Sequence, residues 1–340
     1  MMEPLLRTLF VHTAGTRLVL EGNAVKALRD DVPPRRLPLE AIDTLVVTAG
    51  VDVSTPLLIH CAEAGRIVAF LSSNGRPRAL VEGMADGRSA LRRLQYAAHA
   101  DTDRRAQLAA AVVVAKLVQM EWALRQWARD AGPLEQAQIR EAADRLAESI
   151  WAVRSGSPDR STLLGVEGEN SRRYFDAMAL VVRDGAWRGR RRRPATDPMN
   201  AMLSWMYGLT RVMVQGSVMV AGLDPGTGYL HGDRPGQPSL VLDLMEEFRP
   251  VADRLAVRLW NTRQVQDKHF VRGLGGGVEL TPRGREILFE SWHKHRAQDV
   301  RIKGRSSMVP NGFVPILQAN ALANALRLGI AYQGHQRSVR

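Results

Sequence analysis

Up to about residue 85 the hydrophobic positions alternate with polar ones in short runs rich in β-branched residues. "TLFVHTA", "TRLVLEG", "AVKALR", "IDTLVVTAG" and "RIVAFLSSNG" predict strands, with glycine, Asp-Asp and Pro-Pro signals between them. The Asn-Gly of "SSNGRP" predicts a tight hairpin turn. One segment departs from this pattern: "TPLLIHCAEAG", residues 55–65, predicts a helix that starts near Thr55 and stops at Gly65. From about Ala90 the apolar period lengthens to that of a helix. Two long helices are predicted over 104–130 and 134–154, and further ones at 161–183, 197–221, 239–262, 283–297 and 312–328. The pattern thus predicts an α+β protein, with a small mostly-β domain over residues 1–88 and a larger all-α domain over 89–340.

Composition narrows the class. The 340 residues suffice for one large or two modest domains, and 45% hydrophobic residues is ordinary for a globular chain. The single cysteine, Cys61, excludes a disulfide framework or a cysteine-based zinc site within one chain, and reads as a small buried hydrophobe. "MMEPLLRTLFVHTAG" carries Glu3 and Arg7 and no small-residue cleavage site, so it does not read as a signal peptide. No window approaches the ~18 uninterrupted apolar residues of a membrane span, and a soluble cytoplasmic protein is expected. Charge changes the picture more. The net charge is +12, yet residues 1–90 hold ten Lys/Arg and ten Asp/Glu, so the whole excess lies in 91–340. A basic domain beside a neutral one predicts that only the second meets a polyanion.

Four stretches carry candidate chemistry. In "YLHGDRPGQPSLVLDLMEEFRP", His231 sits in a Gly/Pro-rich loop ahead of a helix whose buried stripe is Leu240, Leu244, Phe248, Val251 and Leu255. Asp243 and Glu246 share one face of that helix, and Glu247 lies one turn from Asp243. Like charges at this spacing repel, so they either face solvent or gather around a cation; Pro250 also leaves the Glu246 carbonyl without its usual helical donor. In "LLGVEGENSRRYF", Gly165 and Gly168 flank Glu167, which suggests a close approach of another helix or of a ligand. "DPMNAMLSWMYGLTR" starts a helix at Asp197-Pro198, with Met199, Met202, Leu203 and Met206 as core. Its stripe of Asn200, Ser204, Tyr207 and Arg211 either faces water or lines a site. "WRGRRRRPA" offers Arg188, Arg190, Arg191, Arg192 and Arg193, whose guanidinium forks suit phosphate oxygens or an acidic patch on a partner.

Together these stretches resemble the CRISPR-associated integrase family, the catalytic subunit of the spacer-acquisition complex. "GVEGENSRRYF" is similar to its Glu-Gly-x-x-Ala/Ser-x-x-Tyr-Phe motif, and "DPMNAMLSWMYGL" to its Asn-x-Leu-Leu-Ser-x-x-Tyr helix. "GLDPGTGYLHGDRPGQPSLVLDLMEEFRP" is similar to its Gly-Leu-Asp-Pro…Leu-His…Leu-Asp-Leu-Met-Glu-Glu-Phe-Arg-Pro block. "HGDRPG" is most like the subtype C members of type I systems, and Gly226-Thr227-Gly228 departs from the bulky residue that members often carry there. The resemblance implies a metal site of Glu167, His231 and Glu246 supported by Asp243, taking Mg²⁺ or Mn²⁺ as suits an imidazole with carboxylates. With DNA as the polyanion, the arginine loop and the polar stripe are expected to supply DNA contacts from Arg188, Arg190, Arg191, Arg192, Arg193, Tyr207 and Arg211. The implied reaction is attack of a DNA 3′-hydroxyl on a phosphodiester at the edge of a CRISPR repeat. The implied partners are a second copy of the chain through the β domain, a small ferredoxin-like protein, and a nuclease that trims the DNA. The alternatives are a metal-dependent nuclease without integration and a non-catalytic nucleic-acid-binding subunit.

Overall fold

The computed structural model describes residues 8–11, 13–30, 32–42, 44–48, 50–71, 77–83, 89–185, 187, 189–191, 194–232, 234–273, 276–301 and 308–335. The first part is strand-rich. Strands β1 (Thr8–Val11), β2 (Arg17–Glu21), β3 (Ala24–Arg29), β4 (Val32–Pro38), β5 (Thr44–Thr48), β6 (Asp52–Val53), β7 (Ile67–Leu71) and β8 (Pro77–Val81) form two four-stranded sheets, ordered β1-β5-β7-β8 and β4-β3-β2-β6. Helix α1 (Thr55–Glu63) bridges β5 and β7, which are parallel neighbours in register Leu45↔Val68. Parallel neighbours need such a crossover, and the predicted 55–65 helix supplies it. Leu18, Val25, Leu39, Leu45, Val47, Leu57, Cys61 and Val68 fill the space between the sheets.

Two details differ from the sequence pattern. Pro33-Pro34, expected to separate strands, lies inside β4, an edge strand with every residue exposed. Proline fits there because an edge strand has one row of N–H groups with no ladder partner to lose. The expected Asn74-Gly75 turn lies outside the described residues, although β7 and β8 that flank it do pair antiparallel.

The remainder is helix-rich: α2 (Ser89–Ala100), α3 (Thr102–Asp130), α4 (Pro133–Ser155), α5 (Arg160–Ala179), α6 (Pro198–Val220), α7 (Ser239–Glu246), α8 (Arg249–Asn261), α9 (Pro282–Ala297) and α10 (Val314–Leu328). The starts are chemically marked. Asp101, Asp159 and Asp197 each accept from backbone N–H groups in the first turn, and Pro133 and Pro198 open α4 and α6. Two short ribbons, β9 (Phe270–Arg272) with β10 (Val278–Leu280) and β11 (Asp299–Arg301) with β12 (Met308–Pro310), add strands too brief for periodicity to predict. The helix expected over 239–262 is broken at Glu247–Phe248, because Pro250 has no N–H to give Glu246.

Helix α3 is the axis of the second part. By length and composition it could cross a membrane, but 67% of its most apolar window is buried, as befits a core helix. It packs against α2, α4, α5, α7 and α8. Ala69 and Leu80 of the β region meet Val212 of α6, which joins the two parts. After α10, Tyr332 tucks into the core, and its hydroxyl donates to Glu247 Oε1 at 2.6 Å. The His335 N–H donates to Glu247 Oε2 at 2.7 Å, and Gln119 of α3 donates to the His335 carbonyl at 3.1 Å.

Beneath α6 and α8, the Tyr207 hydroxyl donates to Asp253 Oδ1 at 2.5 Å. The Tyr174 hydroxyl also faces Asp253 without being aligned for a hydrogen bond. Burial pushes the Asp253 carboxyl up to about 6, although the Tyr207 bond and the Arg190 and Arg249 charges oppose the rise. A carboxyl raised in the folded state gives stability that is full below its ordinary pKa near 3.8 and lost as pH rises through 6. Asp253→Asn should therefore remove a decline of about 3 kcal/mol between about pH 4 and pH 6. Urea denaturation across that range tests this, and parallel stability curves for the two proteins would contradict it.

Candidate metal and nucleic-acid site

The site forms where α3, α5, α7 and the loop before α7 meet. The three carboxylates of the 239–250 stretch do not share a solvated face; each turns a different way. Asp243, fully buried, faces the loop. Its Oδ2 accepts from the N–H of Tyr229 at 2.5 Å and Leu230 at 3.0 Å, and its Oδ1 accepts from the N–H of His231 at 2.9 Å. Oδ1 also meets His231 Nδ1 at 2.7 Å. Glu246 faces α3 and α8, and Glu247 turns away to the Tyr332 segment, where burial pushes its carboxyl up to about 7.

The loop is held from all sides. Gln95 of α2 donates to the carbonyls of Asp224 and Thr227, both at 2.9 Å, and accepts from the Asp224 N–H at 2.8 Å. His99 Nδ1 lies 2.6 Å from the Gly228 carbonyl, and Arg160 of α5 donates to the Leu230 carbonyl at 2.7 Å. The unusual Gly228 has a steric reason. A Cβ there would lie 2.8 Å from Asp243 Oδ2 and 2.7 Å from the Ser239 carbonyl carbon, so a larger residue would push the loop off α7.

Opposite the loop stands Glu167 of α5. Both flanking glycines look onto open space, since a Cβ at Gly165 or Gly168 meets nothing within 4 Å. Both are exposed, so among the described residues the close helix approach expected of these glycines is not seen at their Cα positions. Between Glu167 and Glu246 lies Lys116 of α3, whose ammonium contacts Glu167 Oε1 and stands 2.6 Å from Glu246 Oε2. Arg249 Nε donates to Glu246 Oε1 at 2.8 Å, and Ser171 donates to Glu167 Oε1 at 2.9 Å. Burial alone would raise the Glu246 carboxyl; the charges of Arg249 and Lys116 outweigh it and draw it down to about 2. Glu246 is therefore ionised although its side chain is 5% exposed.

The donor set suits a divalent cation. His231 uses Nδ1 on a carboxylate, the usual way in which a ligating imidazole is oriented, and this leaves Nε2 as its other nitrogen. Glu246 Oε2 is buried and makes no aligned hydrogen bond. Among the described residues no three His, Cys, Asp or Glu side chains are gathered where they could hold one ion; the Lys116 ammonium lies between the two glutamates.

The expected DNA contacts divide. Arg188, Arg192 and Arg193 lie outside the described residues. Arg191 is exposed, and its N–H donates to Asn200 Oδ1 at 2.9 Å. Arg190 donates to the same oxygen at 2.8 Å and lies over the Tyr207 ring, 5.2 Å from its centre. Tyr207 is buried, with Arg249 on its ring at 4.7 Å, so it faces side chains of the protein and not solvent. Arg211 is half-buried beside Arg78, Gln215 and Arg234 in an open groove of about 860 Å³. The stripe on α6 is thus mostly interior: Asn200 holds the arginine loop and Tyr207 carries Arg190 and Arg249.

Known proteins resemble this chain in sequence and in fold along nearly its whole length. The family model described as CRISPR associated protein Cas1 matches residues 9–294. The sequence is 40% identical over 332 residues, 96% of each chain, to the CRISPR-associated endonuclease Cas1 2 of Rhodospirillum rubrum. The fold superposes on a CAS1 protein from Thermotoga maritima with a TM-score of 0.78 at 22% identity, covering 97% of this chain and 100% of that one. It also superposes on a chain of a Cas6-RT-Cas1–Cas2 complex with a TM-score of 0.79 at 19% identity, covering 100% of this chain and 37% of that longer one.

Proposed function

The chain belongs to the CRISPR-associated Cas1 family, and from that premise we propose that it is a divalent-metal-dependent DNA integrase that inserts short foreign fragments into a CRISPR array. The observation that carries this reading is the pair Glu167 and Glu246 on either side of the buried Lys116 ammonium, with His231 held by Asp243 on the neighbouring loop, near enough for its charge to act on Glu246. Glu167, His231 and Glu246 would hold Mg²⁺ or Mn²⁺, which when bound polarises a phosphodiester and acidifies an attacking hydroxyl.

The chain's own residues do the rest. Asp243 orients the imidazole and fixes the backbone of residues 229–231. Arg249 keeps Glu246 ionised in a buried setting, and Tyr207, anchored on Asp253, holds Arg249 in place. The open face of α5 around Gly165 and Gly168 leaves room for a DNA backbone beside Glu167. A DNA 3′-hydroxyl attacks the phosphorus at the repeat edge; the new phosphodiester forms as the old one breaks, and the leaving 3′-oxygen takes a proton. With water as the attacking group the same site hydrolyses DNA, a reading favoured by the name endonuclease carried by the Rhodospirillum rubrum relative. A second copy of the chain through the β region and a small ferredoxin-like partner complete the proposed cytoplasmic assembly, and a trimming nuclease prepares the fragment. The Cas6-RT-Cas1–Cas2 complex that shares the fold is in keeping with such a partner. The "HGDRPG" phrase supports placement with subtype C of type I systems.

The test is joining of a labelled fragment into a repeat-bearing plasmid with the ferredoxin-like partner present. Metal-dependent cleavage without joining would leave the nuclease reading, and DNA binding without either reaction would leave the binding-subunit reading. A separate expectation concerns the arginine loop. Replacing Arg191, Arg192 and Arg193 by Gln should weaken binding to all DNA sequences. It should lower the slope of log affinity against log salt by about 0.9 for each B-DNA phosphate that the loop no longer neutralises. An unchanged slope would assign the loop to a protein partner or to solvent. Arg190 is left out of that set because it also packs on Tyr207.

A further inference from the structure

Lys116 is the only charged residue between Arg105 and Glu121, and its side chain is 4% exposed. A lysine buried in an apolar helix needs a partner, and this one has two, Glu167 and Glu246. Both belong to the proposed metal ligands. With Arg249 on Glu246, the four side chains sum to zero: two carboxylates against an ammonium and a guanidinium. The chain therefore carries a cation of its own between the two carboxylates that the ion would use.

We propose that Lys116 is a resident counter-ion that competes with the divalent metal for Glu167 and Glu246, so that metal binding requires its ammonium to leave the gap. Two physical points support this. Mg²⁺ takes oxygen ligands at about 2.1 Å, and an ammonium in contact with the same two oxygens cannot share that position. Keeping the ammonium there beside a divalent ion would also leave the buried cluster with an excess of positive charge, which burial disfavours. The counter-ion keeps the two carboxylates together when no metal is present and lowers the apparent metal affinity by as much as it stabilises the metal-free state. This deepens the metal reading above and rests on it.

The test measures binding directly. Mn²⁺ is titrated by calorimetry into the wild-type chain, Lys116→Met and Lys116→Gln, each checked for helical content. Both variants should bind Mn²⁺ at least tenfold more tightly than wild type. They should also melt at lower temperature without metal and recover on adding it. Glu246→Gln in the Lys116→Met background should abolish the gain, showing that the same site is read. Equal or weaker binding by the variants, with wild type binding normally, overturns the competition and leaves the metal site standing. Absence of binding to wild type and variants alike overturns the metal reading and this proposal with it. Should both variants fail to fold, the wild-type chain with ¹³C-labelled lysine answers the question. The Lys116 Cε resonance should move on saturation with Mg²⁺, and an unmoved resonance means that the ammonium stays and the proposal fails.

Discussion

Glu167→Gln and Glu246→Gln should each abolish strand transfer while leaving DNA binding in place. The expected loss exceeds the 10–100-fold typical of removing a group that only orients a ligand, since each substitution removes both a donor oxygen and a charge from the cationic position. The two differ in their effect on the fold. Glu246 is 5% exposed and faces both Lys116 and Arg249, so its neutralisation leaves two buried cations short of a partner. Glu167 is 23% exposed, with Ser171 also on its Oε1, and its loss should disturb stability less. Integration product and melting temperature measured together separate the two effects. Full strand transfer by folded Glu167→Gln would sink the site assignment.

Asp243→Asn should act through geometry. The carboxylate accepts from three backbone N–H groups and meets His231 Nδ1, whereas an amide has one acceptor oxygen and turns an NH₂ toward some of those donors. Hydrogen bonds to a charged group contribute about 1.5–3 kcal/mol each, so the loop carrying His231 loosens and the protein melts earlier. Strand transfer should fall by about 10–100-fold, and raised Mn²⁺ should restore part of it. Glu246→Gln should not respond to Mn²⁺ in this way. Titrating Mn²⁺ against integration product for both variants decides it. Rescue of Glu246→Gln with a dead Asp243→Asn would exchange the two roles.

Much of this architecture was legible because the chain states its periods clearly. The strands follow alternation, and α4, α5 and α6 begin within a residue of their Pro or Asp signals. The break between α7 and α8 was legible only in part. Pro250 marks it, but the continuous stripe through Phe248 and Val251 argues for a single helix. Short elements whose shape is set by partners were not legible, as with β4, a strand through two prolines that exists because β3 pairs with it. In the site, His231, Asp243 and Glu246 share one stretch of chain and could be read together. Where Glu247 turns could not be read, since its partners Tyr332 and His335 lie 85 and 88 residues away. Lys116 gave a signal that could have been used: it is the single charge in the fifteen residues from 106 to 120. Gln95, His99 and Arg160, which clamp the loop from other helices, gave none, because polar residues on helices usually face water.

The Glu247 clamp has a consequence for how the protein comes into being. Its carboxylate sits at the end of α7, immediately after Glu246, and both of its donors come from the Tyr332–His335 segment. Chains are made from the N-terminus and their parts fold as they emerge. On a ribosome, the α3, α5 and α7 pieces of the site are present long before the residues that satisfy Glu247. Until then that carboxylate has neither donor, and α7 cannot seat against α3 without burying it unsatisfied. A half-made chain can fold its strand-rich part, but it does not yet hold the finished site around Glu246. The seat of Glu246 is thus completed only once residues 332–335 have been made.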